Sequence, residues 1–259
     1  MQTKWFEEVF SLEGRTALVT GGAGGLGTAI AEALGKAGAR VVVNGRDASR
    51  CTEAAAALQR LGIEALAEPF DVTDEHAVTQ AVARLRESGV PIDILVANAG
   101  SQNRKPVLDM SPAEWHALMD VHVGGAFNCV RACLPAMIDA GFGRIVVMSS
   151  VAGLAALPNV AAYATAKGAL ASFTRALAVE YGGRGITANA LAPGFVRTAF
   201  TRALQENPDF QRFLATEVPA GRWAEPAEIA PAVVFLASAA GTFVNGHLLT
   251  LDGGMLARM

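Results

Sequence analysis

Short apolar, β-branched runs recur along the chain at residues 16–20, 41–44, 65–68, 92–97, 144–148, 186–192 and 248–251. Longer segments lie between them, with apolar residues at helical spacing, such as Leu26, Ile30, Ala33 and Leu34. Strand runs that are apolar throughout belong to strands buried on both faces, and strands that alternate with helices form parallel sheets covered on both sides. Right-handed crossovers then predict a doubly wound α/β fold, a seven-stranded parallel sheet with ligands at the carboxyl ends of the strands. No repeat or linker interrupts the pattern, so a single domain over residues 1–259 is expected. The least regular stretch is 195–218, where Phe195, Phe200, Leu204, Phe210 and Phe213 stand among polar residues. An inserted, partly apolar lid over a site is expected there.

Composition narrows the function. Apolar residues make up 52% of the chain and charged residues 17%, enough to fill a sizeable core, and the formal charge of −3 comes without a basic cluster, against a nucleic-acid partner. No run approaches the roughly 18 apolar residues of a membrane span. The first ten residues include Lys4, Glu7 and Glu8 and lack the apolar centre of a signal peptide. Cys51, Cys129 and Cys133 fit buried thiols of a reducing compartment and form no metal pattern with the four histidines. A soluble cytoplasmic protein without a metal is expected.

The segment Thr20-Gly21-Gly22-Ala23-Gly24-Gly25-Leu26-Gly27 follows the first strand run and opens a helical one. Glycines there permit a tight turn and the close approach of a pyrophosphate to the free N–H groups of a helix start. A turn with no ligand is equally glycine-rich, but the position after the first strand favours the phosphate. At the end of the second strand the chain reads Asn44-Gly45-Arg46. An acid there would repel a 2′-phosphate, whereas an arginine holds one by charge-assisted hydrogen bonds. NADP(H) is therefore favoured, and NAD(H) is the alternative if Arg46 is only a solvated loop charge.

Tyr163-Ala164-Thr165-Ala166-Lys167 begins a segment with an apolar stripe at Ala166, Leu170, Phe173 and Leu177. Tyr163 and Lys167 then project from one helix face, one turn apart. A phenol titrates at about 10 in water, and Lys167 is expected to favour its phenolate. Ser150 follows the fifth strand run, at the sheet edge where substrate should sit. Its hydroxyl can donate to a carbonyl oxygen while Tyr163 delivers a proton.

The TGxxxGxG spacing, with Ser150, Tyr163 and Lys167 in this order, resembles the short-chain dehydrogenase/reductase family over residues 12–254. The resemblance implies a Rossmann-like domain and reversible hydride transfer between the nicotinamide C4 and an alcohol or ketone carbon, with no metal. It implies cofactor contacts from Thr20, Gly21, Gly25, Leu26 and Gly27, and from Asp71 and Val72 at the adenine ring. It also implies contacts from Asn98, Ala99 and Gly100, the counterpart of the family's NAG turn, from Pro193, Gly194 and Thr198 near the nicotinamide, and from Tyr163 and Lys167. A symmetric homotetramer built on the helices around 113–140 and 163–182 is likewise implied by family.

One departure is chemical. Where relatives carry an asparagine that anchors a water leading away from the lysine, this chain has His122. An imidazole can hold or relay the same proton and would change charge between about pH 5 and 8; the alternative is a packed helix residue. Further stretches, including Asn44-Gly45-Arg46-Asp47 and Pro219-Ala220-Gly221-Arg222-Trp223, resemble gluconate 5-dehydrogenase-like members. A sugar acid such as gluconate or 5-ketogluconate is thus one expected substrate. Arg104 and Lys105 could meet its carboxylate or be merely solvated. Leu154, Ala155, Ala156 and Leu157 after Ser150 keep a more apolar ketone or a 3-oxoacyl thioester open. A non-enzymatic alternative is an NADP-binding scaffold or sensor with a decayed relay.

Overall fold

The alternation of the apolar runs is realised as seven parallel strands in one sheet, in the order β3-β2-β1-β4-β5-β6-β7. They are β1 (Thr16–Val19), β2 (Arg40–Val43), β3 (Ala65–Ala67), β4 (Ile94–Ala97), β5 (Gly143–Met148), β6 (Ile186–Pro193) and β7 (Leu248–Leu251). The computed structural model describes residues 2–258. Its helices are α1 (Gln2–Phe10), α2 (Gly25–Lys36), α3 (Ala48–Arg60), α4 (Glu75–Glu87), α5 (Pro112–Met119), α6 (Gly125–Ala140), α7 (Ala161–Tyr181), α8 (Arg202–Gln205), α9 (Pro208–Glu217) and α10 (Pro226–Ala237).

Strand period divides the core into two layers. Leu18 is in register with Val42 and Leu95, and all three face the layer formed with α4, α6 and α7. Ala17, Val19, Val41 and Val43 face the opposite layer, with Ile30 and Leu34 of α2, Leu58 of α3 and Val233 of α10. Both faces are covered by helices, as the unbroken apolar runs require.

The helix from Pro112 to Ala140 is continuous through a π-helical turn at Asp120–Gly124. It is long and apolar enough to cross a membrane by length and composition alone, although Glu114, Asp120 and Arg131 interrupt its apolar residues. Part of its apolar face, including Leu118, Cys129, Val130, Cys133 and Met137, is buried in the protein's own core.

The strand order reverses between β1 and β4, which opens a crevice beyond their carboxyl ends. A clasp holds its two lips at a fixed spacing. The Thr20 hydroxyl accepts the N–H groups of Asn98 (2.9 Å) and Ala99 (3.0 Å). The Asn98 side-chain amide donates to the carbonyls of Thr20 (2.9 Å) and Gly21 (3.3 Å). Thr20 is 2% exposed, and its hydroxyl is consumed by this bracing. Thr20→Val leaves two N–H groups without their acceptor, so we expect a loss of about 1–3 kcal/mol for each, the cost of an unsatisfied buried donor. Urea unfolding measures this, and a loss well under that of one such bond would show the clasp to be dispensable.

Candidate active site

Two adjoining cavities of about 510 and 440 Å³ line the crevice, within the range of small-molecule sites. They share the glycine loop at Gly21 and Gly24 and the turn at Ala99–Gly100. Arg46, Asp71 and Val72 lie on the wall of the first. Gly25, Leu26, Gly27, Asn98, Pro193, Gly194 and Thr198 line the second, together with Ser150, Tyr163, Lys167 and His122. Of the residues expected to meet the cofactor or the reacting groups, all line these cavities except Thr20, which stands behind the wall as a brace.

The glycine loop fits a nucleotide by shape. A Cβ on Gly27 would lie 2.1 Å from the Gly21 carbonyl oxygen, so only glycine lets α2 start this close to the loop. Gly24 N-caps α2 with no side-chain cap. The N–H groups at that helix start are thus left for an anion. Arg46 adds positive charge at the far end of the crevice.

At the near end, α7 carries Tyr163 and Lys167 one turn apart, and Ser150 caps the 3₁₀ turn after β5, its hydroxyl accepting the Ala152 N–H at 3.1 Å. The Lys167 ammonium is buried, 5.5 Å from the Tyr163 ring centre, and donates to the Met148 carbonyl at 2.6 Å. The Ser149 hydroxyl donates to the Lys167 carbonyl at 2.8 Å, which pins α7 to the end of β5. Burial pushes Lys167 down to about 7. Burial also raises Tyr163, while a hydrogen bond from Ser150 and the charge of Arg104 act to lower it. Arg104 adds a second positive charge near Tyr163, beside the lysine that the sequence pointed to.

His122 sits in the π-helical turn, 2% exposed, with its ring edge-on to Tyr163 at 5.5 Å. Nε2 is 2.8 Å from the Ser101 carbonyl oxygen and 3.2 Å from the Ser101 nitrogen. One nitrogen of a neutral imidazole cannot donate and accept together, and the shorter contact assigns the proton to Nε2. Nδ1 is then a buried acceptor with no protein partner. Gly100 packs on the ring so closely that a Cβ there would lie 2.4 Å from Cε1. Burial, and secondarily the charge of Lys167, push the imidazole down to about 3. Burial therefore works against the titration between pH 5 and 8 expected from sequence and favours a neutral imidazole.

Beyond Tyr163, a small cleft is walled by Gln102, Arg104, Ala155, Ala156, Leu157 and Val160, with Phe195, Phe200 and Leu204 of the 195–218 segment across from them. Leu154 is half exposed and off this wall. The two candidate cations separate here. Lys105 is paired with Glu114, which also accepts hydrogen bonds from Asn103 and Ser111 and is held at about 2 chiefly by Lys105. Arg104 is exposed, lines this cleft near Tyr163 and has no hydrogen bond or ion pair among the described residues.

A family model described as Enoyl-(Acyl carrier protein) reductase, of the short-chain dehydrogenases, matches residues 21–256. The chain belongs to the short-chain dehydrogenase/reductase family. It is 40% identical over 248 residues to gluconate 5-dehydrogenase of Gluconobacter oxydans, covering 96% of this chain and 97% of that one. It is 39% identical over 249 residues to 5-keto-D-gluconate 5-reductase of Escherichia coli, covering 96% and 98%. A crystal structure of a gluconate 5-dehydrogenase from Burkholderia cenocepacia, in complex with NADP and tartrate, superposes with a TM-score of 0.96 at 39% identity, covering 98% of this chain and all of that one. Like other short-chain dehydrogenases it is an oxidoreductase of hydroxyl and keto groups.

Two site features of this short-chain dehydrogenase have no signature in a motif. The bond from Lys167 to the Met148 carbonyl is a backbone contact, and the approach of Arg50 to the glycine loop joins residues 27 positions apart. The two depressed bases also govern stability. An ordinary imidazole takes its proton at about 6.5, whereas folded His122 refuses it down to about 3. Between these values the unfolded chain binds the extra proton, so stability is lost as pH falls through that window. Lys167 acts with the same sign between about 7 and 10.5, where stability rises with pH. We expect the thermal midpoint to fall from pH 6.5 towards 3 more steeply in the natural protein than in His122→Asn. Parallel curves for the two would refute a buried neutral His122.

Proposed function

We propose that the protein is an NADP(H)-dependent oxidoreductase that interconverts a hydroxyl and a ketone on a sugar acid of the gluconate and 5-ketogluconate type. The observation that carries the substrate class is Arg104. A guanidinium that is always charged and has no protein partner, beside the tyrosine and serine of the reacting end, matches a substrate carboxylate by bidentate hydrogen bonding. The named relatives act on such acids, and the glycine loop with Arg46 fits the nucleotide. The apolar wall of Ala155, Ala156 and Leu157 favours a second reading, an apolar ketone or a 3-oxoacyl thioester.

When bound, NADP(H) supplies the hydride acceptor or donor. Tyr163 Oη takes the proton of the substrate hydroxyl in oxidation and returns it to the carbonyl oxygen in reduction. Ser150 donates to the same substrate oxygen and stabilises the charge that develops on it. Lys167, with a pKa brought to about 7 by burial, passes a proton on at neutral pH. His122 fixes the Ser101 loop through Nε2 and offers Nδ1 as the acceptor for a relay water leading from Lys167, taking the family asparagine's place as a neutral group. Residues 195–218 close over the substrate, because Phe200 already lies 6.3 Å from the Tyr163 ring and Phe195, Phe210 and Phe213 of the segment pack together, against Trp223 beyond it.

The same reading makes the protein a homotetramer of the cytoplasm. Phe127 on α6 and Val179 on α7 leave apolar surface exposed on the two long helices, and three buried free thiols suit a reducing compartment. A solution mass of four chains by light scattering supports the assembly, and a monomer mass excludes it. For the activity, NADPH oxidation with 5-keto-D-gluconate, a neutral ketone and a 3-oxoacyl thioester separates the substrate readings. Arg104→Ala should raise KM for the keto acid by roughly 10- to 100-fold, the worth of a charged hydrogen bond, and leave a neutral ketone unaffected. Tyr163→Phe should lose turnover on any substrate by roughly 10² to 10⁴. Preferred turnover of the thioester or the neutral ketone would overturn the sugar-acid reading.

A further inference from the structure

Residues 21–27 offer a cofactor phosphate their backbone but no basic side chain. The charge beside them comes from another element. Arg50 lies in the first turn of α3, and its guanidinium reaches back to the loop, where Nη2 donates to the Ala23 carbonyl at 3.3 Å. A Cβ on Gly24 would lie 3.0 Å from that Nη2 and meet nothing else within 4 Å. The Gly24 backbone is extended, a conformation open to any residue. The Arg50 guanidinium therefore fills the space that a side chain at position 24 would take.

Arg50 and Arg46 line the same cavity, and neither is in an ion pair among the described residues. Asp47 lies on the same wall, but its carboxylate accepts the Arg50 N–H at 3.1 Å as the N-cap of α3, where the helix dipole offsets its charge. We infer that Arg50 is a second cation for the 2′-phosphate of NADP(H), acting with Arg46 and standing in for the basic side chain that the glycine loop lacks. This rests on the NADP(H) reading above. The pyrophosphate has donors of its own in the uncapped N–H groups at the start of α2, which leaves the two guanidiniums to the remaining phosphate. Two planar forks supply more charge-assisted donors to its three oxygens than one.

The test is calorimetric binding of 2′,5′-ADP and 5′-AMP, which differ by the 2′-phosphate alone, and of NADPH and NADH. The proteins are the natural chain, Arg46→Ala, Arg50→Ala and Arg50→Lys. Arg50→Ala should weaken 2′,5′-ADP and NADPH by roughly 10- to 100-fold and move 5′-AMP and NADH by less than about twofold. Arg50→Lys should recover part of the loss, and unchanged thermal midpoints show that the fold is intact. Equal losses for both members of each pair would put Arg50 on the pyrophosphate or on the scaffold and overturn the inference, as would unchanged binding of 2′,5′-ADP. If the natural protein fails to distinguish 2′,5′-ADP from 5′-AMP, the NADP(H) reading itself is wrong and the inference falls with it.

Discussion

The geometry of the site depends on the clasp between Thr20 and Asn98. The sheet reverses direction of growth between β1 and β4, so the two strands lead away to opposite sides and nothing in the ladder holds their ends beyond the last shared bond. Four hydrogen bonds at 2.9 to 3.3 Å close that gap. They set the glycine loop against the Ala99–Gly100 turn, and both the nucleotide cavity and the cavity around Tyr163 are built on that pair of lips. A small angular error there would be carried to both ends of the cofactor, since positioning within about half an ångström is what catalysis requires.

The fold was readable because its signal is periodic: the seven apolar runs correspond to the seven strands within one or two residues at each end. Ser150, Tyr163 and Lys167 were readable because their chemistry constrains their type and order. What escaped depends on packing across elements. Thr20 sits in a cofactor motif but faces inward, and its neighbours across the crevice come from 78 and 79 residues away. Lys105 and Arg104 are adjacent in sequence and equal in charge, yet Glu114 takes one and leaves the other. The π-helical turn that carries the buried His122 has no composition of its own.

Charge in this site is sorted by burial more than by pairing. Burial pushes Lys167 and His122 both down from their ordinary values, while Arg104 lines the neighbouring cleft exposed. Arg46 and Arg50 stand at the exposed rim of the other end. The depressed cation is thus the buried one beside Tyr163, and the arginines keep their contact with solvent.

The contact between Gly100 and His122 has a consequence for how the sequence can drift. With the imidazole in place, a methyl group at position 100 would stand 2.4 Å from the ring, so any side chain there is barred. A smaller residue at 122 would lift the bar, and a later change at position 100 would then shut the imidazole out. The two positions are epistatic, and the order of substitution matters: a lineage carrying this histidine can leave it in one step, but a lineage that first fills position 100 cannot reach it without going back.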